Sequence, residues 1–385
     1  MQKQVFLQPN FSYSSLDKIR KRLLDISNRN VLLNYRFPPK KSLQIGNTNA
    51  SNITNMILEE KSLTFIPTPR PTIDELKEVI YIDEKKEKEN IKYPTAREWA
   101  RYLGYHENVN FSEEDKEDNS STLQTFLYLD QLEEIVKTIK RESTIAFEEM
   151  GANILFLCFG FLEWYESNTS DQKMAAPLYL IPVKFNEDAS KHSISLVDDG
   201  CIYNLSLKEK LKIEFGIELP IFSADDNILP GEYINLVRKE VISKQPRWEI
   251  KEQGYLALLN FSKQAMFLDL APERWSNAKY NLENHPIIEK LFRVEGQEDK
   301  DTNSYINYDF DKDENIHQKY PLVLDADSSQ HQVLIEILNR NSLVVEGPPG
   351  SGKSQTITNL IAACLNQGLK VLFVAEKMAA LRTLR

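Results

Sequence analysis

The chain has 385 residues, enough for two or three domains that each bury a core of their own. Apolar residues make up 41% and charged residues 27%, the balance of a globular protein. A net charge of −10 excludes a protein that coats nucleic acid by bulk electrostatics, though not one that grips a strand in a local groove.

The longest apolar run, ILFLCFGFL, is cut off by Glu163, well short of the ~20 residues that span a bilayer. The N-terminus MQKQVFLQPNFSYSS lacks an apolar signal core and a small-residue cleavage site, so cytoplasm is the expected compartment and no membrane partner is expected. Cys158, Cys201 and Cys364 lie far apart and away from the scattered histidines. They are expected to be buried thiols in a reducing compartment rather than metal ligands.

In chain order, SSLDKIRKRLLDISNRNVLLNYR opens the pattern. Ser15 is a candidate cap, and Leu16, Ile19, Leu23 and Ile26 recur at helical spacing. Lys18, Arg22 and Arg29 fall on another helical face. That face could grip phosphate, but Asp25 shares it, which favours a helix surface laced with ion pairs. From residue 38 to about 121, prolines and the runs DEKKEKEN and SEEDKEDNSS predict loops and solvated surface, some of it disordered. Glu-x-Lys triplets such as the one from Glu84 to Lys86 faintly suggest nuclease signatures and are read as chance. Leu129, Leu132, Val136 and Ile139 then mark a helix that stops at Gly151. NILFLCFGFLEWYE and APLYLIPVKF predict two buried strands, and SISLVDDGCIYNLSLKEKLKIEFGIELP a strand, a turn and a helix. The expected organisation is a mixed α/β domain over 1–295, an acidic linker or loop over 296–320, and a new domain over 321–385.

That last stretch carries the sharpest motif. In NSLVVEGPPGSGKSQT, Gly347, four residues, then Gly352, Lys353 and Ser354 match G-x-x-x-x-G-K-[ST]. The apolar stretch 342–346 reads as a strand before the loop. Ile357, Leu360, Ile361 and Leu365 predict a helix after it, and KVLFVAE predicts a second buried strand. Strand, glycine loop, helix and strand form the βαβ unit of a P-loop NTPase. Loop residues Gly347, Pro348, Pro349, Gly350, Ser351, Gly352 and Gln355 would turn their N–H groups toward phosphate oxygens. Lys353 would neutralise the β- and γ-phosphates as the catalytic lysine, and the Ser354 hydroxyl would ligate Mg²⁺. ATP and Mg²⁺ are the expected cofactors. The bland alternative is a glycine-rich turn with an exposed lysine.

GPPGSGKSQTITNLIA followed by VLFVAEKMAALRTL resembles motifs I and Ia of superfamily-one helicases. The resemblance implies a RecA-like fold and implies that a glutamine upstream of the loop reads adenine. Gln330 in DADSSQHQ is the matching position and Gln332 the second choice. It also implies that Lys377 and its neighbours lie near single-stranded DNA or RNA, although a plain surface lysine fits as well. RKRLLDISNRNVLLNYR, EEMGANILFLCFGFLEWYE, APLYLIPVKF, GIELP and NFSKQAMFLDL resemble, in that order, the domain of unknown function ahead of such helicases in large bacterial proteins. Relatives of that kind often carry a C-terminal nuclease domain and sit among anti-phage defence genes.

A superfamily-one motor also needs a Walker B acidic pair and arginines from a second lobe, and neither can be assigned here. The expectation is therefore the N-terminal portion of a helicase-like ATPase, holding the first βαβ unit of an incomplete RecA-like domain and inactive alone. Its partners would be nucleic acid, the missing C-terminal helicase or nuclease portion, or another defence protein. A rival reading takes 11–295 as a recognition or regulatory module for a protein or nucleic-acid partner, with a vestigial P-loop. A third takes the loop as that of an AAA-type ATPase or a nucleotide kinase.

Overall fold

The computed structural model describes residues 13–79, 93–112, 121–187, 192–197, 200–223, 226–275, 285, 287–288 and 315–382. The charge runs at 83–90 and 113–120, including the Glu84–Lys86 triplet, lie outside these residues, as does most of the stretch expected to be a linker. The chain forms two compact units, one of 1–147 with 152–292 and one of 148–151 with 293–385.

In chain order the first unit contains α1 (Tyr13–Leu23), β1 (Ser42–Gly46), α2 (Ala50–Leu58), β2 (Leu63–Ile66), α3 (Ile73–Val79), α4 (Ala96–Tyr102) and β3 (Thr122–Thr125). It continues with α5 (Leu129–Met150), β4 (Leu155–Tyr165), β5 (Lys173–Phe185), β6 (Ser193–Leu196), β7 (Ile202–Tyr203) and α6 (Leu205–Phe215). It closes with α7 (Pro230–Ile242), β8 (Glu249–Leu258), α8 (Ser262–Asp269) and α9 (Pro272–Trp275). Seven strands form a closed ring in the order β4-β8-β1-β3-β2-β6-β5, because β5 also pairs with β4; β7 lies alongside β5. Every pairing is antiparallel except β2 with β3. Closure leaves no long unpaired edge, the standing hazard of an open sheet.

The long apolar runs become β4 and β5 because alternate residues find burial on both faces of the sheet. Leu155, Leu157 and Phe159 join a core shared with α2, α5, α6 and α7, whereas Phe156 and Cys158 pack in a second cluster with Leu32 and Tyr35. Gly160 then shifts the phase. Its φ of +74° interrupts the ladder between Phe159 and Phe161, and beyond it Leu162 and Trp164 occupy the first core while Phe161 joins the second. A side chain at Gly160 would collide with the δ-carbon of Ile234 on α7.

The 14–36 stretch departs from the expected helix. α1 begins at Tyr13, which places Ser15 inside the first turn rather than at the cap, and it ends at Leu23. Beyond it short polar side chains capture the backbone: the Asp25 carboxylate accepts from the Ser27 N–H and the Asn30 amide from the Leu32 N–H. These local bonds compete with the helix and turn the chain. No ion pair joins Arg22, Asp25 and Arg29 among the described residues, because Arg29 no longer lies on a helix. The region from 38 to 121, expected as loops, instead supplies β1, β2 and three helices. Asn49 caps α2, and a Thr95–Glu98 capping box starts α4.

The second unit has α10 (Ile316–Lys319), α11 (Ser328–Leu338), α12 (Lys353–Asn366) and α13 (Met378–Arg382). Its core joins Ile316, Tyr320, Leu334, Ile335 and Ala363. Residues 342–346 and 370–376 form no ladder among the described residues, and Val344 and Leu372 are each 88% exposed. A strand exists through its pairing, and no described residue pairs with either segment. The helix after the glycine loop forms, but it buries Thr356, Asn359 and Ala363 rather than the more apolar stripe, and Leu365 is exposed. Among the described residues, no helix is long and apolar enough to cross a membrane. Cys158 and Cys201 are buried; Cys364, expected to be buried, is only half-buried at the end of α12.

Candidate functional site

The glycine loop crosses from 347 to the head of α12. Gly350 and Gly352 have φ of +86° and +76°, in the left-handed region that L side chains rarely adopt. Gly352 is the residue before the first helical turn, so the left-handed step sets the direction of α12. Side chains of the site lie close against two of the glycines. A Cβ on Gly347 would lie 2.5 Å from the Ser351 hydroxyl, and one on Gly352 would land on the Gln330 amide nitrogen.

Lys353 folds back over this loop. Its ammonium donates to the carbonyl oxygens of Gly347 and Pro348, the latter at 2.7 Å, and lies 3.4 Å from Ser351 Oγ. A lysine held by a set of converging oxygens has the geometry to meet anionic oxygens at the same place. Ser354 and Gln355 are exposed on the first turn of α12, where the unsatisfied N–H groups and the positive end of the helix dipole lie. Pro348 supplies a second tie, accepting from the Ser351 N–H at 3.3 Å. Gly347, Pro348, Ser351 and Lys353 are therefore linked across one turn.

Gln330 reaches this turn from α11. Asp327 caps α11 by accepting from the Gln330 N–H at 2.8 Å, and Gln330 Oε1 accepts in return from the Asp327 N–H at 3.2 Å. The Ser329 hydroxyl and the Gln330 N–H together hold the Asp327 carboxyl below its ordinary range. The free end of the Gln330 amide donates to Ser351 O at 3.0 Å. Lys377 lies exposed just ahead of α13, on the far side of the 370–376 segment in sequence.

One residue that the motif does not name organises the site. Asn359, 2% exposed on α12, accepts from the N–H groups of Val323 and Leu324 at 3.0 and 2.8 Å and donates to Leu324 O at 3.0 Å. Three bonds fix the chain that enters α11, and so position Gln330. His331, 2% exposed, bonds Tyr320 O at 2.9 Å and secures α10 to the same helix. The sequence clue was an asparagine on the buried stripe of a helix, three residues from Thr356. Among the described residues no group of three or more His, Cys, Asp or Glu is placed to hold a metal.

Residues 22–211 match the family described as Protein of unknown function (DUF4011). Two curated relatives are similar over shorter stretches. The uncharacterized ATP-dependent helicase MG140 of Mycoplasma genitalium is 54% identical over 39 residues, 10% of this chain and 4% of that protein. Its homolog in Mycoplasma pneumoniae is 36% identical over 77 residues, 20% of this chain and 7% of that protein. The likeness thus spans less than a tenth of either relative's own length. No solved structure matches the chain.

Proposed function

We propose that this chain is the helicase-associated leading part of a superfamily-one helicase-like ATPase, and that it binds ATP–Mg²⁺ through the loop at 347–355. The observation that carries this reading is Lys353, turned onto the loop carbonyls at the head of α12 with left-handed glycines on either side of Ser351. The weak, partial likeness to ATP-dependent helicases supports it.

In this reading Gly347, Pro348, Pro349, Gly350, Ser351 and Gly352 present backbone N–H groups to the phosphates. Lys353 exchanges its loop carbonyls for β- and γ-phosphate oxygens, and Gln355 flanks the phosphates on the first turn. The residues fit the nucleotide because Gly350 and Gly352 hold the left-handed turns of the loop and Lys353 is already turned onto its carbonyl oxygens. Mg²⁺, when bound, would screen phosphate charge, with the exposed Ser354 hydroxyl as its protein ligand. Gln330 reads the adenine edge after releasing Ser351 O. Hydrolysis and translocation on single-stranded DNA or RNA belong to a longer protein that supplies acidic and arginine groups, with Lys377 near the strand. There the segments 342–346 and 370–376 pair into a RecA-like sheet. A place in anti-phage defence goes with the family resemblance.

The test is equilibrium titration with ATP–Mg²⁺. Wild type should bind, and Lys353→Ala should lose at least tenfold in affinity with its helix content intact. Equal affinity of the two proteins would defeat the proposal.

A further inference from the structure

The segment that failed to continue α1 builds a second feature on the first unit. Residues 24–41 are pinned to the closed sheet. Trp164 Nε1 donates to Leu33 O at 2.9 Å, Asn204 Nδ2 to Leu32 O at 2.6 Å, and the Tyr35 N–H to Ala175 O at 2.6 Å. Trp164 and Asn204 are 0% and 2% exposed, so these anchors are buried and the loop is held in one shape.

Along this loop runs a groove of about 440 Å³, within the ~300–1,000 Å³ range of small-molecule sites. Arg29, Arg36 and Lys41 line it, and no lining residue is acidic among those described. Lys41 is already engaged with Glu142 at 2.9 Å. Arg29 and Arg36, both exposed, have no hydrogen bond or ion pair among the described residues, so two unpaired arginines line one hollow in a chain of net charge −10. Val31 and Leu258 give the groove an apolar wall. Asn28, also on its lining, has a side-chain oxygen that is buried and accepts no hydrogen bond.

A smaller hollow of about 160 Å³ shares Val31 with this groove. The buried side-chain nitrogen of Gln264, on its lining, is equally unpartnered. The larger groove thus offers two unpaired arginines for an anion beside an apolar wall, while the smaller hollow carries Asp25 and Lys263 on its lining. A lone inorganic anion would leave the wall unused, whereas a carboxylate-rich peptide would bring no flat apolar face.

We propose that this groove binds a nucleotide phosphate, free or as one unit of a single strand, with Arg29 and Arg36 on the phosphate. The sugar or base packs against the apolar wall of Val31 and Leu258. Guanidinium forks suit phosphate geometry, and sequence-tolerant strand binding combines such cations with apolar contact to base faces. The site lies within the first unit and does not depend on the glycine loop for any contact.

The experiment titrates the full chain with 3′-fluorescein-labelled dT12 by anisotropy, between 25 and 200 mM salt, with AMP as competitor. Arg29→Gln/Arg36→Gln should weaken dT12 at least tenfold and flatten the salt dependence by about 0.7 per lost phosphate contact. Lys353→Ala should leave dT12 binding unchanged, which separates this site from the ATP reading. Competition by AMP would identify a single nucleotide as sufficient, and its failure would identify a strand unit; either supports the shared chemistry. In the unsubstituted protein, bound dT12 should also protect Arg29 and Arg36 from phenylglyoxal, read by mass spectrometry. Four results would overturn the proposal: no binding of dT12 or AMP, equal binding by the double variant, loss only with Lys353→Ala, or displacement by an oligoglutamate peptide without any phosphate ligand bound.

Discussion

The side-chain amide of Gln330 donates to the carbonyl oxygen of Ser351 at 3.0 Å, joining the first turn of α11 to the tip of the glycine loop. The same amide closes the Asp327 capping box. One side chain therefore couples a helix start to the proposed phosphate cradle. Gln330→Ala removes both bonds and, in the proposed complex, the adenine contact that replaces the one to Ser351 O, worth about 1 kcal/mol. ATP–Mg²⁺ affinity is expected to fall roughly five- to tenfold by calorimetric titration. The preference for ATP over GTP should narrow as well; an unchanged ratio would remove the adenine-reading role.

Gly352→Ala places a Cβ where φ is +76° and where the Gln330 amide sits. The left-handed conformation alone costs about 1–2 kcal/mol for a residue with a side chain. The expected outcome is loss of nucleotide binding by more than tenfold with far-ultraviolet dichroism unchanged, since α12 itself begins one residue later.

Asn359→Leu keeps the number of side-chain heavy atoms but strips three hydrogen bonds from residues 323 and 324. Leaving those backbone groups short of partners should cost about 2–4 kcal/mol. Hydrogen exchange of a peptide covering 321–326 should accelerate at least tenfold, while peptides from β4 and β5 exchange as before. Uniform acceleration across both units would mean that Asn359 is a general packing residue and not a local clamp.

Alkaline titration should destabilise the first unit selectively. Burial pushes the Cys201 thiol from its ordinary value near 9 up to about 11 and Tyr255 up to about 12; it also raises Cys158, Tyr179, Tyr233 and Tyr35. Each is an acid that stays protonated longer in the folded state than in the unfolded one. Between the unfolded and folded values the folded state binds more protons, so stability falls as pH rises. Below about pH 8.5 the contribution is complete; through pH 9–11 it is progressively lost. Urea midpoints measured from pH 7 to 11 should fall monotonically above 8.5, and a flat profile would contradict the burial of these groups.

The parts of the fold legible in the sequence were those with long, uniform patterns. α5 kept its Leu132–Val136–Ile139 stripe, and the two apolar runs became β4 and β5. The stretch 24–36 was misread because the apolar spacing that leads into it suits a helix. Only the side-chain bonds of Asp25 and Asn30 reveal that the backbone has a better local partner. β1 and β2 are four or five residues long, too short for periodicity to separate them from loops. In the second unit the motif named the loop, but the clamp at Asn359 depends on which face of α12 meets the incoming chain. The composition of SQTITNLIAACLNQG points to a different, more apolar face.

Gly160 gives β4 two consecutive reading frames. Up to Phe159 the odd-numbered residues face the larger core; beyond the irregular step the even-numbered ones do. Neither half can therefore slide by a single position without exchanging the residues that fill the two cores, and the half it would have to drag along prefers the opposite choice. The inserted residue works as a lock on strand alignment, and deleting it should block closure of the ring rather than merely loosen it.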